Sequence, residues 1–224
     1  MRTGRLAADT RAAYDRWADQ YPPTAHNPLM RAEQRAMLSH WPNVAGRRAL
    51  DLASGSGRYT QLLAQAQASE IVALDFCLPM LAQVRGASRV CASMMQLPFA
   101  AHCFDVVISG LALGHAGGIE PWMAEVSRVL RPGGTLLYSD FHPEAARSGL
   151  PRAFKDQSGR TWTVPHTLHD LQAQRRAAAK AGLRVEAIEE VRVGVELRES
   201  FSGSQEFYRR WDGLRIVLVV KATK

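Results

Sequence analysis

The run Ala49–Thr60, ALDLASGSGRYT, limits what this chain can fold into more than any other stretch. It opens as an apolar segment, Ala49-Leu50-Asp51-Leu52-Ala53, the pattern of a short strand buried on both faces. It then breaks into Ser54-Gly55-Ser56-Gly57 and resumes with Tyr59, Leu62 and Leu63 at helical spacing. Strand, glycine turn and helix form the first unit of a nucleotide-binding α/β domain. Glycine lets the backbone pass close to a ligand, and a helix N-terminus presents free N–H groups. Two nucleotide motifs fail on spacing. A dinucleotide fingerprint needs glycines at its first, third and sixth positions, and counting from Gly55 the sixth is Thr60. The Gly-Lys-Ser/Thr of a Walker loop occurs nowhere in the chain.

A second apolar run, Glu70–Asp75, ends in an acid. Asp75 lies 18 residues beyond Gly57, near the ~20-residue spacing at which such folds place a carboxylate on ribose hydroxyls. Its two oxygens can accept from both hydroxyls of a cis-diol. Strand patterns recur at Val90, Phe104–Ser109, Thr135–Phe141, Leu183–Val195 and Leu214–Val220, with Ser200–Arg210 between the last two. Helical spacing separates them, over Glu120–Leu130 and over Leu168–Ala181, which Gly182 closes. Upstream, residues 5–20 set Leu6, Tyr14, Trp17 and Ala18 along one amphipathic helix that Pro22-Pro23 ends. A further helical pattern spans Leu29–Leu38. From Phe141 to Pro165 periodicity is lost. That stretch leaves the carboxyl end of a strand, the edge where open α/β sheets bind ligands, so it reads as a lid.

Composition excludes several classes. A chain of 224 residues with 46% hydrophobic content supports one large domain. No run of ~18 apolar residues occurs, and the N-terminus lacks an apolar signal core, so a cytoplasmic protein without a membrane span is expected. Cys77, Cys91 and Cys103 form no CxxC pair and read as free, largely buried thiols, with no metal site. The charge of +7 admits a nucleic-acid binder. The basic residues are scattered, however, with only short clusters such as Arg175-Arg176 and no stripe interleaved with aromatics. A solvated arginine-rich surface is the preferred reading.

Asp51, Gly55 and Gly57 resemble motif I of the class I S-adenosylmethionine (AdoMet) methyltransferases, with Ala53 where that family usually has its first glycine. Tyr14–Tyr21, YDRWADQY, resembles the family's YDxxAxxY segment, and Leu97-Pro98-Phe99 followed by Phe104-Asp105-Val106 resembles its LPFxxxxFDxV block. Arg128–Gly134, RVLRPGG, resembles the turn before its fifth strand. The blocks run in family order over Tyr14–Asp140. The resemblance implies a Rossmann-like three-layer α/β/α fold with a seven-stranded, mostly parallel sheet whose last strand pair is antiparallel. It implies one methyltransferase domain over 1–224: an N-terminal helical cap (1–45), an AdoMet-binding core (46–141), a substrate-cap insertion (142–166), and a C-terminal helix with the final strands (167–224).

The cofactor implied is AdoMet, held by Asp51, Ala53, Gly55, Gly57, Asp75, Phe76, Ser93, Met94 and Met95, with Tyr14 and Tyr21 from the N-terminal helix. Ser93 stands where the family places an acid on the adenine amine. A hydroxyl accepts there more weakly than a carboxylate. Methyl transfer from a sulfonium needs alignment and exclusion of water, and a base only where the nucleophile must lose a proton. His115 after the fourth strand and His142 after the fifth are the candidate catalytic bases, since a pKa near 6.5 suits proton uptake at neutral pH. His166, Arg147 and Arg152 are candidate substrate contacts, and His169 lies close by; the two arginines suit an anionic or carrier-bound small molecule. The chain looks most like the branch holding the ubiquinone/menaquinone and malonyl-carrier enzymes, with an oxygen or nitrogen as acceptor. An RNA- or protein-modifying methyltransferase, and a degenerate partner subunit prompted by Ala53 and Ser93, are the alternatives. Oligomeric state does not follow from the sequence.

Overall fold

A computed structural model of the chain describes residues 2–155, 159–194, 197 and 205–224. Helices α1 (Arg2–Trp17) and α2 (Pro28–Ser39) precede the sheet. A 3₁₀ turn, Ala18–Gln20, follows α1, so the expected helix over 5–20 ends early and tightens. Asn27 caps α2, its side chain accepting from the Met30 N–H, with Pro28 pre-set for the first turn.

The sheet begins with β1 (Arg48–Leu52), α3 (Arg58–Gln65), β2 (Glu70–Asp75), α4 (Leu78–Leu81) and β3 (Ser88–Cys91). It continues through β4 (Phe104–Ser109), α5 (Ile119–Val129), β5 (Leu130–Phe141) and α6 (Pro143–Arg147). Strands β6 (Ala153–Lys155) and β7 (Thr161–Thr163) form a separate hairpin. Then come α7 (Leu171–Lys180), β8 (Arg184–Arg192), the helix Gln205–Trp211 and β9 (Arg215–Thr223). The seven-stranded order is β3-β2-β1-β4-β5-β9-β8. All neighbours through β5 run parallel, and β9 runs antiparallel to both β5 and β8. This is the Rossmann-like α/β arrangement.

Alternation along the central strands explains why they are apolar throughout. Leu50, Leu52, Val107, Leu136 and Tyr138 join one core with Trp122 of α5. Ala49, Val106, Ile108 and Leu137 join the opposite core with Met37 of α2 and Tyr59 of α3. Each strand is covered on both faces, and each buried leucine contributes about 1.5–3 kcal/mol.

Several local expectations are corrected. β5 begins at Leu130, not Thr135, because Leu130 already pairs with Phe104 and Arg131–Gly134 lies within the strand as a register irregularity. A Cβ on Gly134 would lie 2.8 Å from the Arg131 carbonyl oxygen, which explains the glycine. The irregular 141–165 stretch holds α6 and the β6–β7 hairpin; residues 156–158 within it lie outside the described residues. α7 starts at Leu171 because the Asp170 carboxylate caps it through the Ala173 N–H. Val195 and Ser200–Ser204 also lie outside the described residues. The three cysteines are free, but Cys91 is exposed rather than buried. Among the described residues no helix is long and apolar enough to cross a membrane.

Candidate active site

A cavity of about 600 Å³ opens at the carboxyl edge of the parallel strands. Its walls come from the turn after β1, the ends of β2 and β4, the segment Ala92–Met95 after β3, the N-terminal aromatics, and the segment Leu150–Ala153 after α6. The sheet topology creates this crevice, because the connection leaving β1 and the one leaving β4 run to opposite faces.

One end suits an adenosyl amino acid. Asp75 is 6% exposed and lines the cavity, with one oxygen accepting from the Gly55 N–H and the other from the Cys77 N–H, both at 2.8 Å. Each oxygen keeps a lone pair for a ribose hydroxyl. Burial raises its pKa, opposed by those N–H bonds. The turn that aims the Gly55 N–H at Asp75 is left-handed at Ala53 (φ 57°) and Gly55 (φ 54°). A glycine would be unstrained at position 53, and alanine there costs about 1–2 kcal/mol. Ser54 Oγ, buried at the cavity wall, has no partner among the described residues. An unpartnered buried hydroxyl beside a carboxylate fits the polar end of a ligand such as AdoMet. Phe76, Met80, Met94 and Met95 form an apolar slot suited to a purine.

Ser93 also lines the cavity, its Oγ accepting from the Met95 N–H at 3.1 Å. An aspartate can keep that turn and still present an oxygen to an amine. Ser93→Asp is expected to tighten AdoMet by ~1–2 kcal/mol in calorimetric titration. Unchanged or looser binding would mean that the adenine amine is held by other groups.

Beside the glycine turn lies a buried charged network. Glu33 of α2 is 0% exposed and holds Arg58 Nη1 at 2.6 Å, the Tyr59 hydroxyl at 2.7 Å and the Ser139 hydroxyl at 2.5 Å. Burial disfavours the Arg58 charge, but Glu33 more than offsets this, and its pKa lies above the usual value. Arg58 and Tyr59 also line the cavity. Gly110, at the end of β4, has no room for a side chain: a Cβ would lie 2.2 Å from the Tyr59 ring.

At the other end the segment after β5 meets α1. The Tyr14 hydroxyl lies 3.1 Å from His115 Nε2, and His115 Nδ1 lies 3.1 Å from the Pro165 carbonyl. A carbonyl only accepts, so Nδ1 carries the ring proton and Nε2 accepts from the phenol. Burial, then the field of Arg152, pushes the His115 pKa well below its ordinary value. Arg152 Nη2 donates to the Leu111 carbonyl and to Tyr14 Oη, while its Nη1 is buried without a partner among the described residues. Leu111 has φ 55°, a conformation costly for a branched residue and held at the cavity edge. Asp140, at the end of β5, accepts from the Gly114 N–H; burial raises its pKa to about 6, opposed by Arg152. Phe141, Leu150, Val193, Trp211 and Ile216 make the remaining wall apolar.

The cavity therefore gathers Tyr14, Tyr21, Ala53, Gly55, Asp75, Phe76, Ser93, Met94, Met95, His115 and Arg152. Asp51 stands behind the turn, accepting from the Thr60 hydroxyl, with a pKa raised to about 6 by burial. Gly57 (φ 93°) is the αL residue before α3, packed on Val84. His142 is not brought to the cavity: its Nδ1 accepts from the Glu144 N–H to cap α6, and its Nε2 faces Glu190 of β8 at 3.1 Å. Arg147 is exposed on the last turn of α6. His166 sits edge-on to Phe141, and His169 is buried before α7. Sequence reading missed Glu33, Arg58 and the wall made by Val193 and Trp211. For Glu33 the only signal was an acid on the apolar side of α2.

A family model described as "Methyltransferase domain" matches residues 50–138. The malonyl-[acyl-carrier protein] O-methyltransferase of Enterobacter lignolyticus is 30% identical over 183 residues, covering 78% of this chain and 68% of that protein. The demethylmenaquinone methyltransferase of Corynebacterium urealyticum is 38% identical over 115 residues, 50% of this chain and 48% of that protein. The chain spans about half the length of most of the curated relatives it matches. A crystal structure of an S-adenosylmethionine dependent methyltransferase from Mesorhizobium loti superimposes with TM-score 0.69 at 23% identity, covering 86% of this chain and 98% of that one.

Proposed function

This chain belongs to the S-adenosylmethionine-dependent methyltransferases, and we propose that it methylates an oxygen or nitrogen of a small molecule bearing an anionic group. When bound, AdoMet supplies an electrophilic methyl group on a sulfonium. The protein's part is to hold the cofactor, align an acceptor and exclude water. Asp75 would take the ribose hydroxyls, Ser93–Met95 the adenine, and Ser54 with Arg58 the amino-acid end. The helices of 1–45 and the insertion 142–166 act as a cap over the core 46–141, and 167–224 completes the sheet.

The observation that carries the anionic acceptor is Arg152. Its guanidinium lines the cavity, Nη1 has no hydrogen-bond partner, and no carboxylate forms an ion pair with it among the described residues. A buried cationic N–H without an acceptor costs several kcal/mol, which a ligand anion recovers.

The test is a labelled-AdoMet assay on paired acceptors with and without a carboxylate, such as 4-hydroxybenzoate against its methyl ester. Arg152→Gln is expected to raise KM for the acid roughly 10- to 100-fold and leave AdoMet affinity unchanged. Preference for the neutral acceptor, or an equal loss of AdoMet affinity, would place Arg152 on the cofactor and overturn the proposal.

A further inference from the structure

Both ring nitrogens of His115 are occupied, Nδ1 by the Pro165 carbonyl and Nε2 by the Tyr14 hydroxyl. An acceptor in the cavity therefore has no direct route to the imidazole. Tyr14 lines the same cavity, and among the described residues its Oη, besides donating to His115, receives only the long 3.4 Å contact from Arg152 Nη2. The phenol oxygen is the atom of this pair left to meet a proton from the acceptor.

We propose that the acceptor attacks through an O–H or N–H group whose proton passes to Tyr14 Oη as the Tyr14 proton passes to His115 Nε2, making Tyr14 a catalytic residue. The inference rests on the methyltransferase reading above and narrows its substrate class. The acceptor carries a protonated nucleophile and a separate anion for Arg152, so the carboxylate is the handle and not the methylated atom. The bookkeeping closes without a redox partner. The acceptor's lone pair forms the bond to the methyl carbon, the C–S pair stays on sulfur, one proton enters Tyr14 Oη and one leaves it for Nε2. The imidazolium returns its proton through Tyr14 to solvent when product leaves.

Charge around the ring explains why the anion is needed. Arg152 and His166 face His115 from the cap, Tyr14 from α1, and Asp140 stands at the end of β5, bonded to the adjoining Gly114. Asp75 and Cys77 act on Tyr14 from β2 and the turn after it. Burial and Arg152 favour the neutral imidazole. An acceptor carboxylate on Arg152 removes that repulsion at the moment His115 must take a proton.

Nitrogen NMR of the histidine-labelled protein tests the dyad without turnover. Nδ1 is expected protonated and Nε2 bare. Tyr14→Phe should shift the Nε2 resonance and leave Nδ1 in place, and Arg152→Gln should raise the His115 titration midpoint by about one pH unit or more. A ring protonated at Nε2, or an Nε2 resonance indifferent to Tyr14→Phe, overturns the relay. In a second arm, methyl-labelled AdoMet is offered 4-hydroxybenzoate, 4-aminobenzoate and benzoate. The label should enter alkali-stable products of the first two, and Tyr14→Phe should lower kcat about 100-fold, far more than it alters S-adenosylhomocysteine affinity. An alkali-labile ester of benzoate, formed at a rate Tyr14→Phe does not alter, also overturns it. If none of the three is labelled, the anionic-acceptor reading fails, and the NMR arm alone decides the dyad.

Discussion

Glu33→Ala is expected to lower the melting temperature by roughly 6–20 °C. Removing one partner of a buried ion pair costs about 3–5 kcal/mol, and in a chain of this size each kcal/mol shifts Tm by about 2–4 °C. The cost arises because Arg58, 8% exposed, and the Tyr59 and Ser139 hydroxyls all lose the same acceptor. Ser139 also accepts from the Leu111 N–H, so the strained Leu111 turn is tied to the same carboxylate. Glu33→Gln keeps the shape and one acceptor oxygen and should lose less than half as much. Scanning calorimetry of both variants checks this. A Glu33→Ala protein melting within a degree or two of wild type would mean that water or rearrangement satisfies Arg58, and the network would carry little of the fold.

Loss of the Asp75 carboxylate is expected to weaken AdoMet roughly 10- to 100-fold, equivalent to about 1.5–3 kcal/mol for hydrogen bonds to a charged group. Asp75→Ala also orphans the Gly55 and Cys77 N–H groups, so part of any loss could come from a relaxed turn. Asp75→Asn separates the two effects, because it keeps an oxygen for one N–H and offers a donor where a ribose hydroxyl needs an acceptor. Calorimetric titration of AdoMet into both variants, each checked for an unaltered Tm, is the measurement. Wild-type affinity in a folded Asp75→Asn protein would remove Asp75 from the cofactor site.

The sequence by itself determined the sheet, the edge at which the cavity opens and most of the residues on its glycine-turn side. Those features are written in short-range physics. An apolar run covered on both faces needs no polar alternation, a left-handed turn accepts glycine readily, and the acid after Leu74 sits at a distance set by one helix and one strand. The resemblance drew on the same local blocks, which is why Ala53, Gly55, Asp75 and Ser93–Met95 fall on one wall.

Only the tertiary structure decided which charged and titratable groups meet. His115 and His142 follow neighbouring strands and look equivalent in the chain. In the fold, the His142 ring caps α6 and faces Glu190, while His115 turns to Tyr14, 101 positions away. Glu33 meets Ser139 across 106 positions, and Arg152 meets Tyr14 across 138. No periodicity encodes such pairings. They depend on strand order, on how the segment after β5 folds back over α1, and on the need of each buried charge for a partner. Arg152 Nη1 is one buried group that finds none among the described residues.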